Sequence, residues 1–295
     1  MNDALNAQMA SPGPALISGL SMEDYHSDKV HTSRSVLVDL LRSPAHCYAL
    51  HYDPARPPRE APTEAMVLGT LTHTATLEPE HFATRHPIAP KCDRRTTIGK
   101  ADWAAFCATL EPGQEPADPV QAALAQAMAK SLRANTAIAN LLFNPGEAEV
   151  SAYWVDEDTG VPCRVRPDWV NFCQAGDILF DVKTTIDASP AGFAKTVVNM
   201  AYDFQAAFYA DGWEKASGRK VLGFVLGAVE KKWPFACAPY MLSEEDLDRA
   251  RRKYKRALAT LAECRASGVW PGYVAAGDTV NLLQLPSWAT KETDE

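Results

Sequence analysis

Within eighteen residues, from Arg166 to Lys183, the chain gathers two carboxylates, a guanidinium and an ammonium that could act on one reacting centre. Arg166-Pro167-Asp168 and Asp181-Val182-Lys183-Thr184-Thr185 read as the two arms of a β-hairpin. The intervening Asn171-Phe172-Cys173-Gln174-Ala175-Gly176-Asp177 has the polar, glycine-containing chemistry of a tight connection. Pairing Phe172 with Asp177 around a four-residue loop puts Asp168 opposite Asp181 and Arg166 opposite Lys183. Alternation then gives Asp181 and Lys183 one face, and Ile178, Phe180 and Val182 the other. Facing carboxylates repel one another. Either a divalent cation sits between them, as hard oxygen ligands suit, or the basic neighbours make the hairpin a solvated ladder of weak salt bridges.

Other residues could complete such a centre, and each also has a plainer reading. Gln205 and Tyr209 are four apart, hence on one helical face, just after Tyr202. An amphipathic helix with its tyrosine in the core and its glutamine in water would look the same. Glu149 lies on a predicted strand, on the face of Ser151 and Tyr153, where it could equally be a surface carboxylate. His73 belongs to the apolar helix Leu68-Gly69-Thr70-Leu71-Thr72-His73-Thr74, as a ligand or a satisfied core histidine, and Gly69 would permit a close approach. All seven histidines precede residue 87, so no later one can complete a His-rich zinc site.

The elements that must position these side chains follow from periodicity and capping. Helices are predicted over residues 32–48, 64–77, 100–110 and 120–143, with a proline-rich linker at 53–62 and a basic loop at 87–99. The character changes at Asn144-Pro145-Gly146. Strand-like runs at 149–155, 161–172 and 178–184 then form a three-stranded meander, its first two runs joined by the turn Asp156-Glu157-Asp158-Thr159-Gly160. Helices at 190–198 and 202–216, strands at 221–229 and 235–241, and a helix capped by Ser243 and ending near residue 266 complete the chain. This order predicts an α/β (mixed α+β) fold: a central mixed β-sheet containing an antiparallel meander, flanked by helices. Residues 1–20 read as a disordered leader before a single unit over 21–295, helical over 21–143 and sheet-containing over 144–295.

Composition narrows the class. Hydrophobic content of 46% and charged content of 22% are ordinary for a soluble globular protein. No apolar run reaches membrane-spanning length, and the N-terminus lacks the pattern of a secretory signal, so a cytoplasmic location without membrane partners is expected. Seven scattered cysteines without a C-x-x-C pair argue for reduced thiols and against a disulfide framework, zinc ribbon or Cys-ligated cluster. There is no phosphate-binding glycine loop and no G-x-S-x-G elbow, which leaves nucleotide hydrolysis and serine esterase chemistry without support. The net charge of −8 counts only weakly against a polyanionic partner, because local patches decide phosphate binding.

The ordered series Gly69-Thr70-Leu71-Thr72-His73, Glu149, Arg166-Pro167-Asp168, Asp181-Val182-Lys183-Thr184-Thr185 and Gln205-Ala206-Ala207-Phe208-Tyr209 resembles the PD-(D/E)xK nuclease superfamily. Within it, the chain looks like the RecB-type branch and the RecE-type (exonuclease VIII-like) phage recombination exonucleases, from about Tyr25 to Trp288. The late Pro286-Ser287-Trp288-Ala289 belongs to that likeness. The resemblance implies a restriction-endonuclease-like core with His73, Asp168, Asp181 and the Val182 carbonyl as metal ligands. It also implies Lys183 as the catalytic lysine, Glu149 as an accessory catalytic carboxylate, and Gln205 and Tyr209 ordering the site or contacting DNA. An aspartate at position 181, where many superfamily members carry glutamate, fits the RecB-type branch.

The implied reaction is Mg²⁺-dependent phosphodiester hydrolysis, with Mn²⁺ able to substitute because His73 is a softer ligand. The implied substrate is an end of linear double-stranded DNA, digested 5′→3′ to leave 3′ tails. The implied partners are other copies of the chain in a ring and a single-strand annealing (RecT-like) protein. An endonuclease, an iron–sulfur-cluster nuclease and a catalytically silent DNA-binding module of the same fold are the alternatives. Arg164 and Arg166, the 91–100 loop, Lys231-Lys232 and the basic run over 249–256 are the candidate DNA contacts.

Overall fold

The computed structural model describes residues 13–58, 60–273, 280 and 282–286. Its strands are β1 (Ala15–Ile17), β2 (Gly146–Ala148), β3 (Ser151–Val155), β4 (Pro162–Val165), β5 (Trp169–Cys173), β6 (Gly176–Thr185), β7 (Val221–Glu230) and β8 (Cys237–Tyr240). The helices are α1 (Met22–Ser27), α2 (Arg34–Arg42), α3 (Pro44–His51), α4 (Glu64–Leu77), α5 (Phe82–Arg85), α6 (Thr97–Cys107), α7 (Pro119–Ala134), α8 (Thr136–Phe143), α9 (Pro190–Asn199), α10 (Tyr202–Ser217) and α11 (Glu244–Ser267). A mixed five-stranded sheet runs β2-β5-β6-β7-β8, with β6 and β7 parallel, beside a smaller antiparallel sheet, β1-β3-β4. The expected α/β architecture with a central mixed sheet is therefore present.

The predicted meander is divided between these two sheets. The run at 161–172 breaks at Arg166-Pro167-Asp168, so β4 pairs with β3 while β5 pairs with β6. Proline has no N–H to give a ladder, which explains the break at this point. Phe172 does pair with Asp177, but the turn is tighter than expected because Cys173 also pairs with Gly176. Gly176 is required there: a β-carbon would lie 2.5 Å from the Lys220 carbonyl oxygen. The register, continued one step beyond Trp169↔Phe180, faces Asp168 with Asp181. Arg166 has by then left the ladder and does not oppose Lys183.

Two apolar cores lie on opposite faces of β6. Leu179 joins a cluster with α2, α9, α10 and α11, including Leu37, Phe193, Phe208, Trp213 and Leu258. Phe180, with Ile178 and Val182 beside it, joins Leu71, Met128, Leu132 and Ile138 from α4, α7 and α8. The predicted alternation along β6 thus decides which helices cover which face. Helix α10 runs along the odd-numbered face. Trp213 Nε1 donates to Asp177 Oδ2 (2.9 Å) and Gln205 Nε2 donates to Asp181 Oδ1 (3.1 Å). Four strand residues span about 13 Å and eight helical residues about 12 Å, so one helix reaches both aspartates. Gly212 allows the approach on the other side, since a β-carbon would meet the Trp154 ring at 2.3 Å.

Other boundaries depart from the sequence reading for local reasons. The helix predicted over 32–48 is two helices, because Pro44 opens α3 and Ser43 caps it by accepting from His46 N. The one predicted over 120–143 breaks where the Asn135 side chain caps α8. Residues 15–20, expected in a disordered leader, are part of the fold: β1 pairs with β3, and Ile17 and Leu20 are buried. Residues 1–12 of that leader, and Ser287, Trp288 and Ala289 of the late motif, lie outside the described residues.

Asp28 ties α1 to the smaller sheet. Its carboxylate accepts from the Val30 and His31 N–H groups, contacts the His31 ring at 2.8 Å and pairs with Arg164 at 3.2 Å. Burial alone would raise its pKa, but these bonds outweigh burial and bring it down to about 2. The carboxyl of the unfolded chain titrates near 4, so the stabilisation is complete above that pH and disappears as pH falls towards 2. Asp28→Asn should cost about 2 kcal/mol near neutrality. Urea unfolding should show that deficit shrinking from pH 5 to pH 2; a pH-independent deficit would exclude ionisation as its origin.

Candidate active site

The predicted residues arrive at the site by four separate routes. Thr63 caps α4 by accepting from Met66 N, and Thr72 and Thr76 satisfy their buried hydroxyls on carbonyls four residues back. Gly69, Thr70, His73 and Thr74 of α4 line a cavity of about 880 Å³. A β-carbon at Gly69 would meet nothing within 4 Å, so this glycine leaves room and admits no close contact, contrary to expectation. Glu149 is not on a strand. It occupies a left-handed hinge (φ 54°) between β2 and β3, where its N–H donates to the Asp168 carbonyl. The hinge, not strand alternation, turns its side chain inward. Asp168 arrives at the sheet crossing, and Asp181 and Lys183 project from β6.

His73 sits between two carboxylates, Nε2 3.2 Å from Asp168 Oδ1 and Nδ1 3.5 Å from Glu149 Oε1. The other oxygen of Asp168 accepts from Val182 N at 2.8 Å, so the Val182 backbone, whose carbonyl the resemblance makes a metal ligand, also holds Asp168 through its N–H. Lys183 Nζ touches Asp181 Oδ2 and lies 4.5 Å from the centre of the Tyr202 ring. Asp181 is 1% exposed; Oδ1 accepts from Gln205, whereas Oδ2 has the Lys183 ion pair but no hydrogen bond of normal geometry.

These contacts divide the charges unequally. For Asp168, burial opposes ionisation, but the His73 ring, Lys183 and the Val182 N–H prevail and bring its pKa down to about 2. For Asp181, burial and the neighbouring Asp168 charge prevail over Lys183 and push the pKa up to about 6. Burial also disfavours the His73 cation, yet Asp168, with Glu149 and Asp181, lifts its pKa to about 9. Lys183 is buried too, and the two aspartates more than compensate, keeping it charged.

Gln205 is buried and orders Asp181, so the solvent-facing alternative is not what the fold uses. Tyr209 lines the cavity, packs edge-on against Phe224 (6.0 Å), and has its hydroxyl pKa pushed well above 10 by burial, which leaves it a neutral hydrogen-bonding group. Tyr202, whose i,i+3 spacing from Gln205 is the one sequence signal for it, lies on the same helical face and also lines the cavity. Arg166 lines the cavity, whereas Arg164 is not among its lining residues. Both are buried and stack on the Tyr25 ring at 4.4 and 4.1 Å. Arg166 donates to Ser151 Oγ and the Leu20 carbonyl and pairs with Glu149 at 3.7 Å, while Arg164 holds Asp28 and the Tyr25 carbonyl. In the basic run of α11, Arg249, Arg251, Lys253 and Lys255 are each paired with acids, largely a solvated salt-bridged face.

A divalent cation fits the donor chemistry here. Two carboxylates repel one another, Asp181 Oδ2 keeps unused lone pairs, and Glu149 and the His73 imidazole, once it gives up its proton to the arriving cation, complete an oxygen-rich set. Among the described residues no three His, Cys, Asp or Glu side chains surround one point as ligands.

A mixed sheet whose β6 presents a carboxylate and, two residues on, a lysine, facing a second aspartate and covered by a helical glutamine, defines a PD-(D/E)xK-type nuclease core. The profile of the PDDEXK-like domain of unknown function (DUF3799) matches residues 33–282, and the chain belongs to that family. A crystal structure of a "Putative exonuclease" from Eubacterium rectale shares the fold, with a TM-score of 0.60 and 13% identity over 92% of this chain and 96% of that one. The crystal structure of SSO0001, also 13% identical, covers 66% of this chain and 88% of its own at a TM-score of 0.27, too low to bear on the fold. Comparison with curated proteins finds no match. Among the described residues no helix is long and apolar enough to cross a membrane.

Proposed function

We propose that the protein is a Mg²⁺-dependent exonuclease that hydrolyses linear double-stranded DNA, digesting 5′→3′ and leaving 3′ single-stranded tails. The observation that carries this reading is Asp168 facing the enclosed Asp181, the latter pushed towards protonation, beside a charged lysine in an open cavity. The bacterial structure sharing the fold carries an exonuclease name, which supports the end-directed form of the reading. RecE-type character, assembly into a ring around duplex DNA, a single-strand annealing partner and a cytoplasmic location belong to the same proposal.

Asp168, Asp181 and His73 would hold the cation, with Mn²⁺ able to replace Mg²⁺, and Glu149 stands beside His73 as an accessory carboxylate. When bound, the cation supplies charge stabilisation and a nucleophilic water at neutral pH. Gln205 fixes Asp181 by its hydrogen bond, and the Val182 N–H fixes Asp168. The Lys183 ammonium, steadied by the Tyr202 ring, orients the attacking water or neutralises a phosphate oxygen. It does not act as a base, since its environment holds the proton on Nζ.

Linear duplex should be degraded in Mg²⁺ while closed circular duplex survives. Cutting of the circle would favour the endonuclease, and absence of cleavage by the wild-type protein would remove both nuclease readings. Ends labelled separately on each strand give the polarity, and light scattering gives the oligomeric state.

A further inference from the structure

We infer that the loop between β7 and β8, with Trp233 at its tip and Lys231 and Lys232 beside it, is a docking surface for unpaired nucleotides at a DNA end. This rests on the nuclease reading for the identity of its occupant, and it adds a contact that the active-site residues do not supply. The loop leaves the sheet close to the reacting groups. Lys183 pairs with Ala228, Thr185 pairs with Glu230, and Lys231 N donates to the Thr185 carbonyl at 3.1 Å. Its base is therefore about 7 Å along the strand from Lys183, and Thr184, between them, lines the catalytic cavity.

The loop is held, not loose. Ser131 Oγ of α7 donates to the Phe235 carbonyl (2.6 Å), Phe235 N donates to the Lys232 carbonyl (2.7 Å), and Phe235 packs on the core with a left-handed backbone (φ 59°). A well-anchored loop nevertheless leaves Trp233 84% exposed, with Ile186, next to Thr185, 88% exposed. A single exposed apolar residue is ordinary, but this one comes with charge. Among the described residues neither Lys231 nor Lys232 is paired with an acid, whereas four basic residues of α11 are. A flat π-face next in sequence to two uncommitted ammonium groups suits a stacked base with its phosphates alongside.

The test is fluorescence anisotropy of labelled DNA in chelator, where the wild-type protein cannot cut, with a 3′-tailed duplex and a blunt duplex as probes. Trp233→Ala should weaken binding to the tailed duplex on the order of 5- to 100-fold, with Trp233→Phe retaining most of it. Lys231→Ala with Lys232→Ala should reduce the salt slope by about 1.4. A thermal melt shows whether the variants remain folded, as the exposure of Trp233 predicts. Unchanged binding by Trp233→Ala, or an equal loss on the blunt duplex, overturns the inference while leaving cleavage by the wild type untouched. Wild type that binds but cannot cut in Mg²⁺ removes the nuclease reading, and a Trp233-dependent affinity for tails would then still support this surface.

Discussion

Asp181→Asn is expected to abolish cleavage of linear duplex, by at least about 10³-fold or some 4 kcal/mol of transition-state stabilisation, without lowering the melting temperature in chelator. The amide keeps an oxygen for Gln205 Nε2, so the helix contact survives. It removes a charge that burial and Asp168 oppose, as the rise of the Asp181 pKa to about 6 records. An acid whose folded pKa is raised binds its proton more tightly in the folded state, so stability falls as pH climbs from about 4 to 6, and the ionised group is a burden at pH 7. Lys183 retains Asp168 as a counter-charge. Activity within tenfold of wild type would refute the assigned site. A clear drop in melting temperature would instead reveal a structural ion pair.

Four residues earlier on the same face of β6, Asp177→Ala should do the reverse. Asp177 is fully buried and accepts from Trp213 Nε1 (2.9 Å), Arg219 Nε (2.9 Å) and Arg219 Nη2 (2.7 Å). Its loss strands the indole N–H in the core, while the 45%-exposed Arg219 side chain can turn to water. The cost should be about 3 kcal/mol. With an unfolding entropy near 2.1 cal/mol/K per residue, that lowers the melting temperature by about 5 °C in this 295-residue chain. Activity per folded molecule should persist, since Asp181 keeps its own partner. A shift below about 2 °C would show that α10 is held to β6 mainly by Phe204, Phe208 and the other apolar contacts.

These two aspartates show which parts of the site were legible from local pattern. Alternation alone put Asp181 and Lys183 on one side of β6 and Phe180 on the other, and pairing Phe172 with Asp177 brought Asp168 level with Asp181, although the turn is tighter than the four-residue loop expected. The helical spacing of Gln205 and Tyr209 was likewise readable. What remained open was whether that face met water or another element. Gln205 could have been solvated until α10 was seen lying along β6.

The sequence by itself determined strand β6, its register with β5 and the residue types along it, because these depend on interactions a few residues apart. It could not place Glu149 in a left-handed hinge, divide one apparent strand between two sheets at Pro167, or bury Arg164 and Arg166 on Tyr25. The burial of the arginines and the closing of the site rest on contacts between segments far apart in sequence, such as Leu20 with Arg166 and His73 of α4 with Asp168 at the sheet crossing. Tertiary packing chose which charges were enclosed together, and the mutual desolvation of those charges turned a hairpin of ordinary ion pairs into a cleft with the chemistry of a nuclease.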